Sequence, residues 1–250
     1  MTRSSVPTRL GSLYVGTSGF AYDHWREGFY PEGLPAKHML RHYATVLPSV
    51  EINYTFRRDV SEAVVARWRD DTPADVRFTL KAHQRITHYR RLGDTDALAA
   101  FLTATAPLGE RLGTILFQLP PNFRYDRDRL QGFLSQLPHR PEDSSGPRYA
   151  LEVRHESWAV PEVTELLSAR GVALVGSDTD AVELAGIPVT ARHVYLRLRR
   201  ETYSTRALAA WARRIRPLLE EGRDVFCYFK HEGGPEGPGY ALDLRKRLRR

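Results

Sequence analysis

Eight short apolar runs, regularly separated by amphipathic stretches, constrain this chain more than any other feature. They are Leu13 to Gly16, Ser49 to Asn53, Arg77 to Ala82, Thr114 to Gln118, Tyr149 to Val153, Ala173 to Gly176, Val194 to Arg197 and Val225 to Phe229. Each is rich in Val, Ile, Leu, Phe or Tyr without strict polar alternation, as expected of strands covered on both faces. Between them, Ala36 to Leu47, Ser61 to Asp71, Thr95 to Leu108, Arg127 to Leu137, Val160 to Arg170, Thr205 to Leu219 and Gly239 to the end read as helices. Ser61 with Glu62, and Ser204 or Thr205, supply N-cap chemistry, while Gly171 and Gly222 stand where left-handed caps are wanted. The sixth helix is the weak point, because Ala181 to Ala185 is barely a turn.

Strands alternating with helices, with no second compositional block, predict an α/β fold: a single (β/α)8 TIM-type barrel of parallel strands inside outer helices. An open doubly wound sheet is the competing arrangement. A length of 250 residues suits one barrel, with residues 1–12 as a flexible N-terminal segment and 13–250 as the barrel domain. The segment His139 to Pro147 (HRPEDSSGP) precedes a strand, so it is expected to be a mobile loop on the bottom face. No run of about eighteen apolar residues exists, and Met1 to Leu10 lacks a signal-peptide core, so no membrane association or export is expected. The single cysteine, Cys227, excludes an internal disulfide and fits a reducing cytoplasm. The formal net charge of +7 suggests an anionic partner, yet Arg245, Lys246, Arg247, Arg249 and Arg250 crowd at the C-terminus, where they complement a helix dipole.

Polar residues recur where strands end. Side chains alternate across a strand, so positions of one parity share a face. On that rule Glu51 and Asn53 oppose Val50 and Ile52, and Thr79, Lys81 and His83 oppose Phe78 and Leu80. Glu152 and Arg154 likewise oppose Leu151 and Val153, Tyr195 and Arg197 oppose Val194 and Leu196, and Tyr228 and Lys230 oppose Cys227 and Phe229. Charge at the last inward position of several barrel strands is costly unless it faces a polar mouth or is paired. A structural pair such as Glu51 with Lys81 is the plainer explanation. Lysine is scarce, being confined to positions 37, 81, 230 and 246, and two of these occupy strand ends. The long connection Thr17 to Pro35 carries Phe20, Tyr22, Trp25, Phe29 and Tyr30, which suit either a lid over a ligand or a plug in the barrel top. Trp68, Trp158 and Trp211 read as core packing.

The blocks YVGTSGFAYDHW from Tyr14, FYP from Phe29, VEINYTF from Val50, FTLKAHQRITH from Phe78, LFQLPPNF from Leu116 and LEVRHESW from Leu151 resemble the YecE-like family, domain of unknown function 72. The resemblance runs from about Leu13 to the last helix and implies a barrel of this type. It brings no reaction with it. Its motif positions fall on Gly16, Thr17, Ser18, Glu51, Asn53, Lys81, Gln118, Glu152, Arg154 and Asp178, in keeping with the parity argument. The chain departs from the family's pattern at Leu198 and Arg199, where many members have His-Gly, and at Lys230 and His231, where many have paired asparagines.

These residues point to an uncharacterised barrel protein that acts on or binds a small anionic or phosphorylated ligand at the C-terminal face. Glu51 and Glu152 are candidate general base or acid, with Lys81 as electrostatic partner. Thr17, Ser18, Asn53, His83, Gln118, Arg154, Asp178, Arg197, Lys230 and His231 are candidate ligand contacts. The anion is expected between the seventh, eighth and first strands, where Arg197, Arg199, Arg200, Lys230 and His231 lie near HEGGPEGPG and the last helix. The basic balance, arginine-rich loops and loop aromatics also fit a nucleic-acid-binding or phosphodiester-cleaving protein, and a non-catalytic binding module is the third reading. No G-x-G-x-x-G, Walker-type lysine loop or H-E-x-x-H is present. Glu51, Glu152, Asp178 and His83 are acceptable donors for a divalent ion, but they lie on separate strands without a metal motif, so no metal or other cofactor is assigned.

Overall fold

A computed structural model of the chain describes residues 9–138, 146–178, 186–230 and 234–249. The ring of strands runs β1 (Leu13–Ser18), β2 (Ser49–Ile52), β3 (Arg77–Lys81), β4 (Leu112–Gln118), β5 (Arg148–Glu152), β6 (Ala173–Leu174), β7 (Gly176–Ser177), β8 (His193–Leu198) and β9 (Asp224–Phe229). Each paired neighbour is parallel, in the order β6-β5-β4-β3-β2-β1-β9-β8-β7. Segments β6 and β7 are one stave interrupted at Val175. Its first half pairs with β5 and its second with β8, which joins the two ends of the sheet into a nearly closed barrel. The Thr190 hydroxyl supports the interruption by accepting from the Leu174 amide at 2.8 Å and donating to the Val172 carbonyl at 2.7 Å. The eight expected strands therefore occur, the sixth in two pieces, and the open sheet is excluded.

The helices are α1 (Met39–Val46), α2 (Tyr54–Arg57), α3 (Glu62–Asp70), α4 (Thr95–Thr105), α5 (Arg127–Gln136), α6 (Pro161–Ala169), α7 (Thr205–Glu220) and α8 (Glu236–Leu248). Ser61, Asp94, Asp126 and Ser204 cap α3, α4, α5 and α7 by accepting a first-turn amide, which offsets orphan donors at those ends. Gly171 and Gly222 take the left-handed conformation expected of them after α6 and α7. The short α2 and a π-helical turn over Arg85–Tyr89 escaped the periodicity reading, since neither is long enough to show a 3.6-residue repeat. The weak helix at Ala181 to Ala185 and most of the loop at His139 to Pro147 lie outside the described residues. No helix among the described residues is long and apolar enough to cross a membrane.

Strand parity divides the core in two. Outward residues such as Val15, Ile52, Phe78, Ile115, Leu151, Leu196 and Cys227 pack beneath the helices, with Trp68, Trp158 and Trp211 among them. Inward residues Leu116, Ala150, Ala173, Val175, Tyr195, Phe226 and Tyr228 fill the barrel. Tyr14 and Phe226 stack at 4.7 Å near the bottom, and Gly113, where a Cβ would stand 2.7 Å from Phe226, leaves room for that ring. Above them Tyr228 shares its hydroxyl with Ser49 at 2.6 Å and Thr79 at 2.8 Å. A polar column therefore rises through the barrel toward its mouth.

Tyr43 of α1 reaches into the β1–β2 seam. Its hydroxyl accepts from the Thr17 amide at 2.8 Å and donates to the Ser49 carbonyl at 3.0 Å, bridging the two strands where their ladder opens. Tyr43→Phe keeps the ring but leaves both buried backbone groups without this partner. The expected loss is about 1–3 kcal/mol in denaturant unfolding, with faster exchange of the Thr17 amide. A change below about 0.5 kcal/mol would show that the hydroxyl is not part of the seam.

Candidate functional site at the barrel mouth

Inward positions at the strand ends converge on Arg197 from β8, whose side chain is 1% exposed. One guanidinium nitrogen, Nη2, donates to Glu51 Oε1 at 2.7 Å and Ser18 Oγ at 3.3 Å. The other, Nη1, donates to Glu152 Oε2 at 2.5 Å and Gln118 Oε1 at 3.2 Å. Arg197 thus spans the barrel from β2 to β5, touching β1 and β4 on the way. Glu51 also accepts from the Ser18 hydroxyl through Oε1 and from the Tyr195 hydroxyl through Oε2 at 2.6 Å. Glu152 accepts two bonds from Arg154, at 2.9 and 2.7 Å, and lies 3.4 Å from Arg199.

Burial opposes charge throughout this cluster, but the partners decide the outcome. Desolvation pushes the Glu152 carboxyl up, yet Arg197, Arg154 and Arg199 outweigh it and bring its pKa down to about 2. Arg197 is desolvated too, and the two glutamates still hold its pKa above the ordinary value. Burial and the Glu51 charge push the Tyr195 hydroxyl up, so it remains a phenol donating to Glu51. At neutral pH the Glu152 carboxylate and the Arg197 guanidinium are therefore both charged, and the phenol of Tyr195 is neutral.

Lys81, at the end of β3, is different. Among the described residues its ammonium has no hydrogen bond and no carboxylate within ion-pair distance. It sits 4.0 Å from the centre of the Phe56 ring of α2. Burial and the Arg197 charge lower its pKa from 10.5 to about 8, against the pull of Glu51 and Glu152. His88, in the π-helical turn, packs edge-on to the same Phe56 ring at 4.8 Å. Its pKa is lowered as well, by burial and then by Lys81 and Arg154. Two basic groups thus share one aromatic ring at the rim.

The strand-end parity places Glu51, Lys81, Gln118, Glu152, Arg154 and Arg197 in or beside this mouth. Ser18 and Asn53 join them, with Asn53 Nδ2 donating to Ser18 Oγ at 2.9 Å. The simple pair of Glu51 with Lys81 is not formed, because Arg197 is longer, forked and better placed to join both carboxylates. Thr17 points outward to Tyr43 and folds its hydroxyl onto the Gly19 carbonyl at 2.7 Å. Asp178 anchors the loop after β8, accepting from the Arg199 amide at 2.8 Å and the Tyr203 hydroxyl at 2.6 Å. His83 accepts from the Arg85 amide at 3.2 Å. Glu51 and Glu152 are joined by Arg197 while Asp178 and His83 are engaged elsewhere, and no group of three or more acidic, His or Cys side chains placed to hold a metal occurs among the described residues.

The expected corner between the last two strands and β1 is built differently from the sequence expectation. Arg199 turns toward Glu152, Arg200 lies 3.5 Å from Asp178, and α8 begins with its own acidic residue, Glu236. The Gly234 carbonyl is taken by the Trp25 indole at 2.8 Å. His231 lies outside the described residues. Sequence reasoning missed Phe56, the packing of His88 on it, and Tyr195 as a partner of Glu51. Tyr195 shares the parity of Arg197, so its inward face was legible, but its bond to a strand 144 positions away was not.

The family described as Protein of unknown function DUF72 matches residues 14–250, and this chain belongs to it. It is 24% identical over 274 residues to the UPF0759 protein YunF of Bacillus subtilis, covering 94% of this chain and 93% of that protein. It is 31% identical over 162 residues to the UPF0759 protein YecE of Escherichia coli, covering 64% of this chain and 55% of that protein. The crystal structure of a DUF72 family protein from Thermotoga maritima superposes with a TM-score of 0.80 at 26% identity, covering 95% of this chain and 99% of that one. A DUF72 family protein of Enterococcus faecalis shares the fold, with a TM-score of 0.78 at 22% identity over 94% of this chain and 95% of that one.

The chain has four lysines, so side-chain NMR resolves Lys81 directly. Its Cε resonance is expected to titrate with a midpoint near 8, well below the ordinary lysine value of 10.5. A midpoint above about 10 would mean that the ammonium is fully hydrated and the mouth is open to bulk water.

Proposed function

We propose that the protein binds a small anionic ligand at the C-terminal mouth of the barrel, with the Lys81 ammonium as its primary contact. The observation that carries this reading is the charge arrangement. Lys81, Arg154, Arg197 and Arg199 gather around only two carboxylates, Glu51 and Glu152, and both are already occupied by guanidinium groups. Lys81 carries its charge in a partly desolvated place with no carboxylate paired to it among the described residues. An anion there recovers interaction energy that burial withheld. The His88 ring, packed on the same Phe56 side chain as Lys81, stands at this rim as a further contact.

This reading places the anion toward the ends of β3, β5 and β8, next to Lys81 and Arg154, and gives the two glutamates a supporting part. Glu152, with a pKa of about 2, has little tendency to accept a proton at neutral pH. Lys81, close to half-protonated near pH 8, is the better proton acceptor or donor for any reaction at this mouth. The Glu51–Arg197–Glu152 bridge then serves as a rigid floor that keeps the cationic rim in place. Buried Cys227, whose thiol is pushed up by burial, has no part in it and suits a reducing cytoplasm.

Calorimetric titration with inorganic phosphate and with acetate tests the proposal. Millimolar binding is expected in wild type and a loss of about tenfold in Lys81→Met, which keeps the length but not the charge. The pH dependence has a definite sign. The ammonium is charged below its pKa, so affinity holds from pH 6 to 7 and falls about tenfold between pH 8 and 9.5 as Lys81 loses its proton. Equal binding by Lys81→Met, or no binding at tens of millimolar, would overturn the reading.

A further inference from the structure

The long connection after β1 resolves into two parts with different surroundings. Trp25 and Tyr30 are fully packed, with 0% and 4% exposure, and Trp25 is fastened to the Gly234 carbonyl. They are the plug. Phe20 and Tyr22 instead remain half-buried and face a cavity of about 500 Å³ on the outer side of β2. Its other walls are Ile52 at the end of β2, Leu40 of α1, and Val64 and Trp68 of α3. Ile52 has the parity opposite to Glu51, so this cavity lies outside the barrel, apart from the charged mouth, and only Asn53 adjoins both.

We infer that this cavity is a second binding site, one for a small planar aromatic anion. The volume lies within the range of small-molecule sites, and the walls are largely aromatic and aliphatic with a few polar groups at the edge. A planar ring is the shape that Phe20, Tyr22 and Trp68 favour, through offset or edge-on stacking. The charge preference comes from the rim. Lys37 and Arg67 border the opening, and Lys37 has no carboxylate within ion-pair distance among the described residues. Arg67 is held by Asp71 at 3.3 Å, which also pairs with Arg41 at 2.9 Å, and no acidic residue is among the cavity's walls. The β1–α1 connection keeps the cavity's inner wall in place. Tyr22 donates to the Ser18 carbonyl at 2.8 Å, and Gly19, at φ +91°, passes so close to the Tyr22 ring that any Cβ would strike it. This site is independent of the anion proposed for the mouth.

The probe is 2-naphthoate, with neutral 2-naphthamide as its isostere, and the reporter is the Trp68 indole N–H resonance, assigned through Trp68→Phe. Naphthoate is expected to shift that resonance with a dissociation constant of about 1 mM or tighter. The amide should bind about threefold more weakly, and Lys37→Ala, a surface change, should erase the difference. Val64→Phe, which fills the cavity, should abolish both shifts while the remaining spectrum stays native. Inorganic phosphate should leave Trp68 unmoved, whatever it does at Lys81. No Trp68 shift at several millimolar naphthoate, or a shift unchanged by Val64→Phe in a native spectrum, overturns the site. Equal binding of acid and amide overturns its preference for anions.

Discussion

A guanidinium buried across the axis of a barrel imposes conditions on everything around it. Arg197 is removed from water, so its charge requires carboxylates, and those carboxylates must come from strands on other sides of the ring. Glu51 and Glu152 meet that need from β2 and β5, with Ser18 and Gln118 adding bonds from β1 and β4, while the buried Nε makes none. Five of the eight staves are thereby tied together at one level by charge-assisted hydrogen bonds. Such a bridge is a poor source of net stability compared with apolar packing, but it is intolerant of losing one member, because the partner left behind is a buried, unpaired charge. Small inward residues below it, including Ala150 and Ala173, make room for Tyr195 and Tyr228, and Tyr195 then supplies the last donor to Glu51.

The same arrangement determines what the mouth has left to offer. Both glutamates spend their lone pairs on arginines, a serine and a tyrosine, so they hold the mouth's architecture more than they present chemistry to solvent. The unspent charge is Lys81, which rests on Phe56 at the end of β3, while Arg154 after β5 is already bonded to Glu152. Depression of the Lys81 pKa follows from this geometry, since partial burial and a nearby Arg197 both disfavour its charge. Protonated Lys81 also costs the fold. Below about pH 8 it is charged in both folded and unfolded chains and the penalty is fully present; it is relieved as the pH rises from 8 toward 10.5, where only the unfolded chain keeps the proton.

Much of the barrel could be read from the order of residues because its two rules are local. Apolar runs alternate with amphipathic helices, and within each run side chains alternate in and out, so strand parity alone puts Glu51, Lys81, Glu152 and Arg197 on the inner face. What was not legible is who meets whom across the ring. Glu51 and Arg197 are 146 positions apart, and nothing in the spacing distinguishes that partnership from one with Lys81. Loop geometry was equally hidden: Asp178 turns to cap the backbone of Arg199, and Thr17 obeys strand parity and faces α1, although both belong to the family's motif. The aromatic-rich connection was divided between plug and cavity by packing against α1, α3 and the turn before α8, which sequence composition does not encode.

The most direct measurement is the pH dependence of unfolding free energy for Arg197→Met beside wild type. Methionine nearly fills the space but leaves Glu51 without its guanidinium partner, while Glu152 keeps Arg154 and Arg199. The expected deficit is about 3–5 kcal/mol at pH 7. A buried carboxylate without its cation has a raised pKa, so the folded variant takes up protons before the unfolded chain does, and the deficit should shrink steadily as the pH falls toward 5. Replacing Glu51 and Glu152 by Gln in the same variant should recover part of the loss and flatten the pH dependence. A deficit below about 1 kcal/mol that does not change with pH would contradict the account, because the two glutamates would then not depend on Arg197 at all.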